Sequence, residues 1–551
     1  MRDPVAALCE RAAKSPDSVF CRVLVSGSAL TVSCGVALAH SQRYANMFLH
    51  MGLQPGDVVV IILRHSEELY FAFLGAMLAR CVPSFMPFPS AKQDPEQYWT
   101  QHQAVFARIG VAAVVAYPEL RPLIERHCPG LATMTPAETE GVSQDFDAPA
   151  RGPDEIAFLQ HSSGTTGLKK GVLLSYRAVC EQVGRYAEEM QFGAEDVIVS
   201  WLPLYHDMGL IACFMLPLMT GVPFVSLDAF EWVARPQLLF EAIRDYRGTH
   251  VWLPNFAFHH LCRTVNASKP IDLSSIKVFI DCSEPCRLET LEMFAGDFKE
   301  FGVRLDQCRV CYAMAETVFA VTQTPQGDVV RSFAANPDEL ARGRAVSAAG
   351  ATARRIASVG RPLPDVRLKL IAADGSEAAP GYVGEVAIRA PFLFSGYHKD
   401  PERTAAKLRD GWYHTGDLGF VADGELYLLG RTDDLLILNG RNVLAHEVEF
   451  AINASVEQIK PGRCIALGVF NAEVGSQELV ILAEPLDGGP DAGRMLRRQI
   501  KGVVLNAYGL IPREVQIVPP GWLVKSTSGK IARGLTLDKY LLQQLELVDA
   551  E

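Results

Sequence analysis

Residues His161-Ser162-Ser163-Gly164-Thr165-Thr166-Gly167-Leu168-Lys169-Lys170-Gly171 place four hydroxyls, three glycines and two lysines within eleven positions. Glycine lets backbone N–H groups approach phosphate oxygens closely, hydroxyls add donors, and lysine supplies positive charge. That composition suits a loop that holds a polyphosphate. The apolar runs 156–159 and 172–174 on either side predict two strands that close the loop at its base. A flexible Ser/Gly linker is the ordinary alternative, but a linker gains nothing from threonine and glycine interleaved between strands. The common nucleotide P-loop does not apply, because Gly164 is not followed five positions later by Gly-Lys-Ser/Thr.

Other reactive groups sit at predicted strand ends. Trp201-Leu202-Pro203-Leu204-Tyr205-His206-Asp207-Met208-Gly209 puts an imidazole where a strand gives way to an apolar helix, the edge at which α/β proteins bind ligands. A lone histidine is more often structural. Cys282-Ser283-Glu284-Pro285 ends one strand and Cys311-Tyr312-Ala313-Met314-Ala315-Glu316-Thr317 another. A tyrosine and a glutamate at neighbouring strand mouths suit base stacking and Mg²⁺ ligation. Tyr413-His414-Thr415-Gly416-Asp417 sets an acid in a tight turn fit for a ribose diol, and Gly529-Lys530 offers a cation on a loop. Taken singly, the last three read better as ordinary solvated turns. Cys282, Cys286, Cys308 and Cys311 have zinc-like spacing but fall in apolar, strand-like segments. They are expected as small buried hydrophobes, and no zinc is expected.

These groups need a sizeable scaffold. At 551 residues the chain implies two to four domains, and a net charge of −11 excludes nucleic acid as the main partner. Thirteen scattered cysteines in a chain this long do not form a disulfide framework. The start, Met1-Arg2-Asp3-Pro4, lacks the apolar core of a signal peptide, so a cytoplasmic location is expected. Residues 208–227 are uncharged and nearly of membrane-spanning length, but Gly209, Pro217, Gly221 and Pro223 interrupt them. They predict a buried helix followed by a strand, and no membrane span.

β-Branched runs at 58–62, 114–116, 197–201, 251–253 and 278–280 alternate with helical patterns such as 67–79, which predicts parallel, helix-covered sheets. From Val366 the texture turns to short strands (367–371, 384–389), a turn at 373–375 and a hairpin over 420–427. The polar segment 430–434 is the predicted hinge, and the module beyond it is small enough to move as one body. The expected fold is therefore α/β. A large N-terminal domain (1–430) of βα-layered sheets with a β-rich subdomain precedes a small, mobile α+β C-terminal domain (431–551).

In this order, from about residue 30 to 540, the motifs resemble the adenylate-forming ligases: acyl-CoA synthetases, firefly luciferase, peptide-synthetase adenylation domains and fatty acyl-AMP ligases. The resemblance implies an ATP-dependent activation of a carboxylic acid. It assigns Ser162, Ser163, Gly164, Thr165, Thr166, Gly167 and Lys170 to the ATP phosphates. Ser283, Glu284 and Pro285 fall to the adenine-side turn, Tyr312-Ala313-Met314-Ala315 to adenine, and Glu316 to Mg²⁺. Asp417, helped by Arg431, would hold the ribose hydroxyls. His206 would sit beside the reacting carboxylate, Lys530 would bridge carboxylate and α-phosphate, and Asp433 would be the pivot of the C-terminal domain.

Within the family, the form His206-Asp207-Met208-Gly209-Leu210, Ala315 before Glu316, and the 44 positions between Glu316 and Gly360 look most like fatty acyl-AMP ligases. The extra segment, about 328–355, resembles the insertion that in those enzymes disfavours use of CoA, so the acyl group goes to the phosphopantetheine of a separate acyl carrier protein. A plain surface loop is the alternative for this segment. Asp433, the stretch 394–401 and Ala313 resemble CoA ligases and adenylation domains instead, which keeps an acyl-CoA synthetase as the second reading. The substrate walls are placed at 208–219, 230–232, 252–260 and 318–321, with Asp207, Met208, Phe256 and Val318 as pocket residues. Their apolar character favours a fatty or hydroxy-aliphatic acid. An amino acid would need a carboxylate partner for its ammonium, for which Asp207 or Glu231 would have to serve. A non-catalytic nucleotide or acyl sensor is disfavoured by the presence of Glu316, Asp417, Arg431 and Lys530.

Overall fold

The structure is a computed structural model that describes residues 3–89, 95–162, 170–266, 268–350, 353–438, 441–471, 476–486, 492–525 and 531–549. Its centre is a nine-stranded sheet. In spatial order the strands are Arg361–Pro362, Ala320–Gln323, Cys308–Ala313, Val278–Cys282, His250–Leu253, Ile198–Ser200, Phe224–Leu227, Val19–Val25 and Ser28–Ser33. From Cys308–Ala313 through Val19–Val25 neighbouring strands run parallel, and antiparallel strands close both edges. Every residue of Val278–Cys282 and of His250–Leu253 is buried. Helices cover both faces of such a sheet, so its strands read as unbroken apolar runs. A second parallel sheet orders Val82–Phe85, Val58–Ile62, Val111–Ala116 and Ala132–Met134.

The two runs that flank the glycine-rich loop form the antiparallel strands Ile156–Ser162 and Lys170–Ser175. Ser162 pairs with Lys170, so the two ends of the loop lie side by side. The short strand Gly396–Tyr397 joins them on the outer side. The β-rich part is a five-stranded sheet of Arg367–Ile371, Gly384–Arg389, Leu408–Arg409, Trp412–Ala422 and Glu425–Arg431. Beyond it, Leu435–Leu438, Arg441–Leu444, Ile459–Asn471, Ser476–Pro485 and Glu514–Ile517 make another sheet. That sheet has its own apolar cluster around Val448, Ile452, Ile481, Ile500 and Val504.

Residues 208–227 form a helix and a strand. The helix opens as a wide, π-type helix over Met208–Met215, continues as an α-helix over Leu216–Thr220, and closes at Gly221 with φ +87°. Phe214 packs edge-on against Tyr70 at 5.0 Å, inside the main core with Phe20 and Phe224. No helix among the described residues is long and apolar enough to cross a membrane. The segment expected as an insertion is folded, not a plain loop. Ser332–Ala335 pairs with Arg354–Ala357, and the short helix Pro337–Ala341 lies between them.

Two helices of the main core cross at Gly75. A Cβ there would lie 2.4 Å from the Cβ of Tyr44 and 2.7 Å from the carbonyl oxygen of Ser41, backbone and stem atoms that cannot move aside. Gly75→Ala is expected to force Glu68–Leu78 away from Cys34–His50 and cost roughly 1–3 kcal/mol, read as a lowered thermal midpoint of the purified protein.

Candidate active site

The site is built on the C-terminal edge of the parallel sheet, where the strands deliver their following residues to one side. Cys308–Ala313 ends in Tyr312, and a short helical turn over Ala315–Thr317 carries Glu316. That turn is held under strain. Val318, fully buried, has φ +63° and ψ −53°, and the Phe319 N–H donates to the carbonyl of Thr317 at 2.7 Å. This is a γ-turn of the rare hand, costly for a β-branched residue. The Thr317 hydroxyl secures it by donating to the carbonyls of Met314 (3.1 Å) and Phe319 (2.8 Å). Ala313 and Met314 are half-buried and Ala315 is buried beside them.

Two carboxylates are brought into this edge, each met by a phenol. The Tyr312 hydroxyl donates to Asp417 Oδ2. Asp417 stands opposite Arg431 in the pairing of Trp412–Ala422 with Glu425–Arg431, and Arg431 Nε lies 3.2 Å from Asp417 Oδ1. Burial pushes the Asp417 carboxyl above its usual range, while Arg431 and the Tyr312 hydroxyl pull it back. The backbone turn is fixed from outside: Gly416 N–H donates to Glu385 at 2.8 Å and Asp417 N–H to the Thr415 hydroxyl at 2.9 Å.

Glu316, also buried, accepts from the Tyr397 hydroxyl at 2.7 Å, and its backbone carbonyl accepts from Phe394 N–H at 2.8 Å. The Lys170 ammonium lies 5.5 Å above the Tyr397 ring. Burial holds Lys170 below its ordinary range, and Glu316 opposes that shift. Tyr413 is within hydrogen-bond reach of Tyr397. The segments 170–175, 312–317, 394–397 and 412–417 are therefore linked through side chains as well as backbone. Neither Tyr397 nor Tyr413 was a site candidate on sequence grounds. Their signal was present, in Gly396-Tyr397 and in the Tyr before His414, but only the fold reveals what each phenol faces.

The remaining candidates lie around this pair of acids. Ser283 follows its strand with φ +71°. Glu284 Oε2 accepts the backbone N–H of Phe256 at 3.0 Å, so the turn's glutamate caps the first turn of the helix Asn255–Thr264. Half-buried His206 has its ring 4.9 Å from that of Tyr205, and its carbonyl accepts from Leu210 N–H at 2.9 Å. Asp207 accepts from Met208 N–H at 2.8 Å at the start of the wide helix, where Met208 is buried. Gly209 allows the chain to pass this closely, since a Cβ would lie 2.3 Å from the Pro203 oxygen. Phe256 is 47% exposed, a rim position more than a pocket wall. Glu231, weighed as a partner for a substrate ammonium, is engaged elsewhere: its Oε1 accepts the Ser26 N–H at 2.8 Å.

Ser163, Gly164, Thr165, Thr166, Gly167 and Lys530 lie outside the described residues, as does the side chain of Ser162. Among the described residues no group of three or more His, Cys, Asp or Glu side chains could hold a metal ion by itself. A single carboxylate such as Glu316 is compatible with Mg²⁺, which takes one or two carboxylates and completes its shell with water and substrate phosphates. Cys282 and Cys311 are register neighbours inside the sheet, and all four cysteines of the zinc-like spacing are free thiols.

This sheet edge, the β-rich part beside it and the small C-terminal sheet define an adenylate-forming ligase. The chain belongs to the AMP-binding enzyme family, whose model it matches over residues 8–398. It is 29% identical over 509 residues to a putative acyl-CoA synthetase of Caulobacter vibrioides, covering 90% of this chain and 88% of that protein. It is 28% identical over 427 residues to the medium-chain-fatty-acid–[acyl-carrier-protein] ligase JamA of Moorena producens (74% and 72% covered). Among solved structures it is similar to one from a study of fatty acyl-adenylate ligases of E. coli and L. pneumophila. That likeness has a TM-score of 0.90 at 25% identity and covers 99% of this chain and 98% of that one.

Tyr312→Phe removes a donor to Asp417 and leaves burial to raise its carboxyl further. The ionised carboxylate is the form that accepts two hydroxyls. The acid limb of a pH profile of AMP binding is therefore expected to move to higher pH in Tyr312→Phe, as read by calorimetric titration.

Proposed function

We propose that the chain activates an aliphatic acid with ATP, forming acyl-AMP and pyrophosphate, and then passes the acyl group to the phosphopantetheine thiol of a separate carrier protein. The observation that carries this reading is the meeting of Tyr312, Asp417 and Arg431 with Glu316 and Lys170 on one sheet edge, beside the closed base of the glycine-rich loop. In this reading Tyr312 stacks on adenine and Asp417, with Arg431, accepts from the ribose hydroxyls. The loop from Ser162 to Gly167 and Lys170 hold the phosphates, and Ser283–Pro285 borders the base. Glu316 would hold Mg²⁺, which would supply charge neutralisation to the phosphates.

The first step sets two anions against each other. A carboxylate oxygen bonds to the α-phosphorus while the bond to pyrophosphate breaks. In this reading the charge of Lys530 offsets that of both, and fixed geometry replaces an unfavourable encounter. His206 orients the acid. In the second step the thiol sulfur bonds to the acyl carbon and AMP leaves. Asp433 is the pivot between the steps. On one side of it the Thr432 hydroxyl donates to the Gly416 carbonyl at 3.1 Å, and on the other Asp434 pairs with Arg533 at 2.8 Å. The chain is thus tied to the large part before Asp433 and to the C-terminal part after it.

A carrier acceptor is supported by the folded segment at 328–355. Arg354 pairs with Glu447 of the C-terminal part, Arg287 sits 3.5 Å over the Phe450 ring, and Leu444 packs with Ala335, Leu340 and Ile356. Such contacts oppose rotation of the C-terminal part. The second reading, an acyl-CoA synthetase, is favoured by the name of the Caulobacter relative and by the stretch 394–401.

Acid-dependent exchange of pyrophosphate into ATP over a panel of fatty, hydroxy, aromatic and amino acids tests the first step. Exchange with aliphatic acids is expected, and no exchange with any acid would refute the proposal. Lys530→Ala is expected to lower the exchange rate at least roughly a hundredfold. Arg354→Ala with Glu447→Ala is expected to raise acyl-CoA formation about fivefold relative to carrier loading, as one partly buried ion pair is lost. Thioester product analysis with each thiol reads the outcome.

A further inference from the structure

We infer that the outer face of the helix Ala492–Tyr508 is the docking surface for an acidic face of the carrier protein. The inference rests on the carrier-loading reading and extends it to where that partner is held. Over residues 492–513 the sequence has five cations (Arg494, Arg497, Arg498, Lys501 and Arg513) and no acid, in a chain of net charge −11. The helix Tyr176–Met190, by contrast, mixes two arginines with three glutamates. A run of one sign against a background of the other creates a local field that draws an oppositely charged partner.

The fold sets these cations on one side. Leu496, Ile500 and Val504 are buried in the C-terminal core, which turns Arg494, Arg498, Lys501 and Leu505 outward in a single row. The row is about 16 Å long at the ordinary rise of a helix. Arg494, Arg497, Arg498 and Lys501 are all exposed, and among the described residues none of the four makes a hydrogen bond or ion pair. Arg513 is held by Glu478 at 2.9 Å and takes no part. Exposed apolar side chains stand at both ends, Met495 (61%) at the start and Leu505 (48%) and Ile511 (73%) at the finish. The last residue of the helix reaches the larger part of the chain: burial raises the Tyr508 hydroxyl, and Arg354 and Arg287 pull it back. A carrier held on this row therefore lies beside the boundary across which the C-terminal part is proposed to rotate.

The form of the surface favours a protein over a lipid bilayer. The helix's own apolar face is taken up by the core, so a bilayer would gain only the three end side chains. An acidic helix laid along the row meets the cations in turn, with apolar contact at each end. Exposed charge of this kind speeds encounter and leaves the complex weak enough to release a loaded carrier.

The test measures thioester formation by the full chain with a phosphopantetheinylated acyl carrier protein, and with free pantetheine as the small-thiol control. Arg494→Glu with Arg498→Glu and Lys501→Glu is expected to raise KM for the carrier roughly tenfold or more. Pyrophosphate exchange and transfer to pantetheine are expected to stay within about twofold of wild type. Raising NaCl from about 50 to about 300 mM is expected to raise the wild-type KM for the carrier and to leave that of the variant unchanged. The neutral set Arg494→Gln, Arg498→Gln and Lys501→Gln is expected to give an intermediate KM, and thermal melts check that both sets fold. Lys14→Glu with Arg126→Glu and Lys299→Glu makes the same change of net charge at exposed positions elsewhere and is expected to leave the carrier KM unaltered. A carrier KM within about twofold of wild type in the Glu set, or an equal rise in the Lys14/Arg126/Lys299 set, overturns the docking surface and leaves acid activation standing. Loss of binding to phosphatidylglycerol vesicles with an unchanged carrier KM overturns it in favour of a lipid surface. A wild-type chain that exchanges pyrophosphate but loads only CoA overturns the carrier reading and the docking surface together, and one that exchanges with no acid overturns acid activation itself.

Discussion

Carboxylates are costly to bury, and the architecture of this sheet edge derives from the need to bury two of them close together. Asp417 and Glu316 cannot both sit in a dry crevice unless each finds donors. The chain supplies phenols: Tyr312 donates to Asp417 and Tyr397 to Glu316, while Arg431 and Lys170 add positive charge nearby. A phenol neutralises nothing, so Glu316 keeps its capacity to attract cations, while Asp417 meets a phenol on one oxygen and Arg431 on the other. The same bonds also stitch the structure, since each spans a different pair of segments. The acids thus act as structural anchors and as acceptors held ready.

Backbone geometry is bent to serve this arrangement. Val318 occupies a conformation that a β-branched residue avoids, and it does so one turn after Glu316, where the Thr317 hydroxyl holds the turn closed. Gly209 plays the complementary part near His206: only a residue without a Cβ lets the wide helix begin against the Pro203 carbonyl. Strain at one motif and close approach at the other both fall on the sheet edge, and a close approach of the same kind at Gly75 joins two helices of the core behind it.

Much of the scaffold was legible from local pattern. The runs at 58–62, 251–253 and 278–280 are parallel strands, 420–427 is the tip of a hairpin, and residues 208–227 are a buried helix and strand. What the sequence did not disclose lies in contacts between distant positions. Tyr397 and Glu316 are 81 residues apart, and Tyr312 and Asp417 are 105. No periodicity encodes such a pair. Glu284 illustrates the opposite case: as part of a motif it reads as an adenine-side residue, yet its carboxylate caps the helix that begins at Asn255. The π-type start of the 208–220 helix was equally hidden, because its apolar residues fit an ordinary helix as well.

The C-terminal part raises a physical question of its own. A two-step reaction at one site benefits from a body that moves, but movement needs contacts that break. The contacts on each side of Asp433 differ in kind. Asp434 and Glu449 share Arg533, which holds the first strand of the C-terminal sheet to its own helices. Arg287, Arg354 and Leu444 instead bridge to the larger part. On the proposed rotation the former set, internal to one body, would survive, whereas the latter, which crosses between bodies, would be lost. Two of the crossing contacts use arginine against a carboxylate or a ring, interactions of modest net strength in water. The apolar cluster that includes both Leu444 and Ile356 adds a component that does not weaken with salt. On the proposed rotation, the ion pair of Arg354 and the apolar cluster around Ile356, together with Arg287, would bias the balance between these bodies without involving the residues proposed to hold the nucleotide.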